Sequence, residues 1–224
     1  MDQDANSARS RLKVTQPRQA RSRATMERIL STVEDLLAEK PFEQITIAEI
    51  SARSASAPTA IYARFSDKTA LLLGVHERFR ERTADKIVAA ITEPGLAELP
   101  PEEFVSYVAG ELIALFRDNH RLLRSVLLSN NSQMYTHATE LGRSVATAIG
   151  GQLSPRIPEH QRADAERDLD FAVRTALALM QQSLIFDDQT PTRFDYSEAE
   201  LRDRITRILF DAYTRYSVES PQSQ

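Results

Sequence analysis

The sequence predicts an all-α protein, and three observations carry that prediction. Apolar residues recur at spacings of three and four almost throughout, the period of one helix face. Only 6 of the 224 residues are glycine, and prolines fall between the periodic stretches. No stretch alternates apolar and polar residues as a half-buried strand does. A composition of 42% hydrophobic and 27% charged residues is ordinary for a globular chain of this length, which can bury a sizeable core.

Taken in order, residues 1–16 are polar and basic, the composition of a disordered arm. The first helix is expected from Pro17 to Glu39, capped by Thr15 or Gln16 and stopped by Pro41, with Met26, Ile29, Leu30, Val33, Leu36 and Leu37 facing inward. Thr46, three residues before Glu49, has the arrangement of a capping box. The helix it opens has Ile47, Ala48 and Ile50 on one side and Glu49, Ala52 and Arg53 on the other. After a Ser/Ala-rich corner, Pro58 fits the first turn of another helix, because its missing N–H would have no partner there. Ser56 or Ala57 is then the cap. Ile61 and Phe65, four apart, point inward and leave Pro58, Thr59, Ala60, Tyr62 and Arg64 outward. Two short helices meeting at a tight corner are how a helix-turn-helix is written.

A fourth helix runs from about Asp67 to Thr92, capped by Ser66. Leu71, Leu72, Val75 and Phe79 suit the N-terminal unit, and Ile87, Val88 and Ile91 suit the remainder of the chain. Lys68 in its first turn is poorly placed for the helix dipole, which makes sense if a phosphate lies in front of it. Five further helices are expected at about 101–117, 119–129, 133–150, 159–187 and 197–218, broken at Gly150-Gly151, Pro155, Pro158 and Pro191. The last two are apolar on more of their circumference than one core requires. Phe171, Ala178 and Ile185 form a second stripe on one, and Ile205, Leu209, Ala212 and Tyr216 lie on the other. Such faces fit a symmetric four-helix dimer interface.

Catalysis has no candidate constellation. There is no cysteine, which excludes disulfides, thiolate zinc sites and cysteine nucleophiles. His76, His120, His137 and His160 form no metal-ligand pair at helical spacing, and His137 with Glu140 is a single pair where a di-metal bundle needs two. No phosphate-binding loop, nucleophile elbow or dinucleotide fingerprint is present, so neither enzyme activity, a cofactor nor a metal is expected. No apolar run reads as a signal peptide or a membrane span, which makes a cytoplasmic location the expectation and a membrane partner unexpected. The net charge is −4, but the first 30 residues hold Arg9, Arg11, Lys13, Arg18, Arg21, Arg23 and Arg28. Phosphate attraction is therefore concentrated at the N-terminal end.

From Arg21 to Leu72 the order of residues resembles the DNA-binding domain of the TetR (tetracycline repressor-like) family of bacterial transcription regulators. The matching positions are Arg28-Ile29-Leu30, Val33, Leu36 and Leu37; Pro41-Phe42, Ile45-Thr46-Ile47, Ala48 and Ile50; and Ala60-Ile61-Tyr62, Phe65, Lys68 and Leu71-Leu72. Two departures stand out. Ser54-Ala55-Ser56-Ala57 replaces the usual Ala-Gly-Val-Ser of the turn, and Lys40 stands where a helix-ending glycine is common. Ala55 is thereby expected to hold a conformation that glycine takes more cheaply, by about 1 kcal/mol if φ is positive.

The resemblance implies a helix-turn-helix domain over 17–66, a helical ligand-binding and dimerisation domain over 67–218, about nine helices in all, and a tail over 219–224. It implies a homodimer on a double-stranded DNA operator, released by a small-molecule effector. Pro58, Thr59 and Ala60 are the candidates for base edges; Tyr62, Arg64, Lys68, Thr46, Arg21 and Arg23 for phosphates. Candidate ligand residues are Phe104, Tyr107, Phe116, Met134, His137, Phe171, Met180 and Gln181, with Gln182 and Asn130 as further polar partners. The alternative from the residues alone is a helical ligand-binding or protein-adaptor domain without specific DNA binding.

Overall fold

The computed structural model describes residues 18–129, 131–186 and 194–217, apart from the side chains of 18, 19, 135, 137 and 138. The basic arm, Asn130, the tail and the side chain of His137 lie outside the described residues. Among those described there are nine α-helices and no strand.

The described residues begin with α1 (Arg18–Glu39), which ends two residues before Pro41. Ile29, Leu30, Val33, Leu36 and Leu37 are buried along one face, whereas Met26, expected inward, is 36% exposed. A short 3-10 turn at Phe42–Gln44 leads to α2 (Ile47–Ser54) and then α3 (Pro58–Tyr62). Ala48 of α2 faces out; Ile50 alone is fully buried there among its apolar residues.

Helix α4 (Lys68–Ile91) is long enough to serve two cores. Leu71, Leu72, Val75 and Phe79 pack with α1, α2 and α3 in the N-terminal core, and Ile87 and Ile91 pack in the C-terminal one. The C-terminal core is completed by α5 (Pro101–Asp118), α7 (Ser132–Leu153), α8 (Arg162–Met180) and α9 (Glu198–Ser217). Gly150 and Gly151 do not break α7, because neither has a positive φ; the helix runs on until Ser154-Pro155.

Helix α6 (His120–Leu128) lies in the C-terminal half of the sequence but packs on the N-terminal core. Leu122 and Val126 join Phe42, Leu37 and Phe79 there, as does Met134 from α7. Arg121 also donates to the backbone oxygen of Ala38 at the end of α1. The helix-turn-helix is thus clamped from one side by α4 and from another by α6.

The end of α8 widens into a single π turn at Gln181–Ile185. Arg124 of α6 donates to the Ile185 carbonyl at 3.1 Å and lies over the Phe186 ring at 5.7 Å. Such turns inside α-helices recur at functional sites.

Candidate DNA-reading face and ligand cavity

The entry to α2 is fixed by Thr46, whose Oγ1 accepts from the Glu49 backbone N–H at 3.2 Å. Lys40 Nζ donates to Glu49 at 2.6 Å, and this bond, with Lys40's charge and the Thr46 N–H, holds the Glu49 carboxyl below the usual carboxylate range. Arg53 forks onto both oxygens of Glu39 at 2.6 and 2.8 Å, which lowers the Glu39 pKa and raises its own. Exposed pairs contribute little stability. Their effect is to fix how α2 leaves α1.

The turn then passes through Ala55 at φ 48 and ψ 40, the only non-glycine with positive φ among the described residues. An L-residue in this left-handed region costs about 1 kcal/mol more than glycine. Serines brace it. Ser51 Oγ donates to the Ser56 carbonyl at 2.7 Å, and Ser56 Oγ to the Ser54 carbonyl at 3.2 Å. Ser56 is buried in the place of the expected valine, and keeps its hydroxyl satisfied within the turn.

Ala57 caps α3 without a side-chain hydrogen bond, and Pro58 opens it as expected. Ile61 and Phe65 are buried; Pro58, Thr59 and Tyr62 are exposed, Tyr62 by 55%, and Ala60 is half-buried. Arg64 departs from the expected outward position. One guanidinium nitrogen donates to the Ala60 carbonyl at 2.7 Å and another to Ser22 Oγ at 3.2 Å. It is turned back onto α1 because its own helix ends there and leaves carbonyls to satisfy. This contact also sets the exposed Arg21 and Arg23, which flank Ser22, beside the end of α3.

At the start of α4 the cap is Asp67 rather than Ser66. Asp67 accepts from the Ala70 N–H at 2.7 Å, the main reason its pKa lies below the usual range, and Ser66 Oγ donates to it at 3.2 Å. The carboxylate offsets the helix dipole that Lys68 opposes. Lys68 itself donates to the Glu43 carbonyl at 3.0 Å and lies 4.8 Å from the Phe42 ring centre. Burial pushes its pKa down, against the pull of Glu43. Thr46 and Lys68 thus mark two helix N-termini on either side of the corner.

Between the two cores lies a cavity of about 630 Å³. Helix α4 contributes His76, Phe79 and Arg80, α5 contributes Leu112 and Phe116, and α8 contributes Leu177 and Gln181. His76 is buried, its ring stacked near Phe79 at 6.5 Å. Of the expected ligand residues, Phe116 and Gln181 line this space. Phe104 and Met180 do not; both are fully buried in the C-terminal core, and Met134 is fully buried in the N-terminal one. Tyr107 borders a separate groove with Arg202, and its phenol is pushed up by burial and by Glu111 and Glu93. Phe171 points away, 66% exposed.

The polar lining from α4 was missed. Its trace in the sequence is a stripe at four-residue steps, Leu72, His76 and Arg80, in which polar residues replace apolar ones on an inward face.

The expected dimer stripe is also redistributed. Ile205, Leu209 and Ala212 are buried against their own chain, because α8 and α9 pack on each other and on the rest of the bundle, and Ile185 is buried where the π turn meets α5 and α6. Tyr216 is half-buried and donates to Asp168 at 2.9 Å. Phe171 and Ala178, seven apart on α8, remain exposed. Among the described residues no group of three or more His, Cys, Asp or Glu could hold a metal, and no helix is long and apolar enough to cross a membrane.

A helix-turn-helix held against a helical bundle by α4 and α6 is the frame that carries these candidate residues. Residues 29–75 match the model of the bacterial regulatory proteins of the tetR family. A helix-turn-helix transcriptional regulator of Bacillus subtilis (strain 168), YerO, is 34% identical over 105 residues, covering 47% of this chain and 35% of that relative's length. A TetR-family regulator from Mesorhizobium loti MAFF303099 shares the fold over 88% of this chain and 99% of its own, with a TM-score of 0.66 at 20% identity. The regulator FadR from Bacillus subtilis, solved in complex with stearoyl-CoA, does so over 86% and 97%, with a TM-score of 0.54 at 15% identity. The chain is thus similar to the tetR-family regulators over residues 29–75 and shares its fold with solved TetR-family regulators over most of its length.

Proposed function

We propose that this chain is a homodimeric transcriptional repressor that a small molecule releases from a palindromic operator. One observation carries the reading: the cavity is walled by His76, Phe79 and Arg80 of the same helix whose first residue, Lys68, flanks the reading corner. A ligand there acts on α4 directly.

In this reading α3 enters the major groove. Pro58, Thr59 and Ala60 allow close approach to base edges, and Tyr62, Thr46, Arg21, Arg23 and Lys68 position the domain on phosphates. Arg64 supports α3 from behind. The second copy docks through the face of α8 that carries Phe171 and Ala178, and two readers then reach successive grooves about 34–36 Å apart, or a multiple of that. Release is a population shift: the ligand favours the arrangement that cannot span both grooves, and a 100-fold preference corresponds to about 2.7 kcal/mol. The acyl-CoA complex of the structural neighbour FadR supports a ligand-responsive bundle.

Selection of bound sequences from random DNA with the purified protein tests the reading. Recovery of one palindrome is expected, with half-sites about one helical turn apart. Recovery of no preferred sequence overturns it.

A further inference from the structure

The size of the junction cavity, about 630 Å³, lies within the range of roughly 300–1,000 Å³ typical of small-molecule sites. Its walls are apolar, supplied by Leu112, Phe116, Val126 and Leu177. Its charges do not balance. Arg80, Arg143 and Arg174 line it against one acid, Asp170. That acid pairs with Arg174 at 3.1 Å, and Glu77, from outside the lining, reaches Arg80 at 3.3 Å.

Arg143 has no hydrogen bond or ion pair among the described residues. Arg80 Nε is buried without an acceptor. A buried charged donor left without a partner costs free energy that a ligand oxygen recovers. The amide of Gln181, on the π turn, adds a neutral polar group.

We propose that this cavity takes an elongated apolar anion, with its carboxylate or phosphate head held by Arg80 and Arg143 and its hydrocarbon against Leu112, Phe116, Val126 and Leu177. The biological role of such a ligand rests on the regulatory reading above; its binding does not. A cationic ligand meets three guanidinium groups, a neutral apolar one leaves Arg80 Nε without an acceptor, and a small inorganic anion leaves the apolar walls wet.

The test is calorimetric titration of the full chain, without DNA, using dodecanoate, dodecyl phosphate, 1-dodecanol and dodecylamine. At least one anion is expected to bind one-to-one and about tenfold tighter than dodecanol, with dodecylamine no better than dodecanol. Arg80→Gln and Arg143→Gln are each expected to weaken that anion about tenfold while leaving dodecanol unchanged. Arg143 is exposed, so its substitution leaves the fold intact. The tighter of the two anions tells a carboxylate site from a phosphate site. Equal binding of dodecanol, preference for the amine, wild-type anion affinity in both variants, or no anion binding overturns the proposal. If a palindrome is selected and only a neutral or cationic compound releases it, the regulatory reading stands and this one falls. If the protein binds the anion through these arginines but selects no DNA sequence, the cavity assignment stands and the regulatory reading falls.

Discussion

The reading corner and the C-terminal bundle hold their shapes by different means. In the corner the elements are short: α2 has 8 residues and α3 has 5. Helices of that length are not stable by propensity and offer few side chains to a core. Their angles come from point contacts: the Thr46 and Asp67 caps, Pro58, the left-handed Ala55, and Arg64 on Ser22. In the bundle, helices of 18 to 22 residues are oriented by wide apolar faces. A structure fixed by broad packing can leave a cavity at its edge without losing shape. One fixed by single contacts cannot, and the cavity lies at the bundle's margin rather than at the corner.

The contrast can be broken by mutation. Phe104→Ala removes a fully buried ring from the bundle and is expected to cost about 3–5 kcal/mol in urea unfolding. A cost below about 1 kcal/mol would mean that Phe104 faces adaptable space rather than packed core. Leu122→Ala, in α6, is expected to cost about 2–4 kcal/mol, and hydrogen exchange should rise first in α1 and the Phe42–Gln44 turn, against which α6 packs. Faster exchange confined to α8 and α9 would remove α6 from the reader's support. Ala55→Gly relieves the left-handed turn and should raise stability by about 0.5–1 kcal/mol, read from the same unfolding curves.

Acid should loosen the corner before the bundle. Glu39, Glu49 and Asp67 have folded pKa values below their ordinary ones, so their stabilisation is present above the ordinary carboxylate range and lost as pH falls through the lowered values. Glu200, bonded to Ser197, is the bundle's counterpart. Exchange of α2 amides, monitored downward from neutral pH, should outrun that of α5; equal onset would contradict the contrast. The smallest expected effect is that of Lys68→Ala, which should lower the slope of DNA affinity against salt by about one unit. An unchanged slope would leave Lys68 with only its contacts to Glu43 and Phe42.

Legibility in the sequence divides along the same line. The Thr46 cap, the proline start of α3, the cost at Ala55 and the sharing of α4 between two cores are consequences of near neighbours in the chain. Arg64 on Ser22, Met134 among the N-terminal core residues and the burial of Ile205 and Leu209 depend on which element lies opposite, and periodicity shows an apolar face without naming what covers it. Asp67 displaced Ser66 as the cap because both residue types suit that position and their order in space decides. The cavity was hidden for a related reason: its polar lining on α4 sits within an otherwise apolar stripe.

The stiffness of α4 has a mechanical consequence. Arg80 and Lys68 are twelve residues apart, about 18 Å of unbroken helix. If the Arg80 end is the pivot, a tilt of about 5° carries the Lys68 end about 1.6 Å, several times the spread of a good hydrogen-bond length. In that geometry a rotation too small to open the bundle displaces the far end of α4 far enough to unseat a contact there.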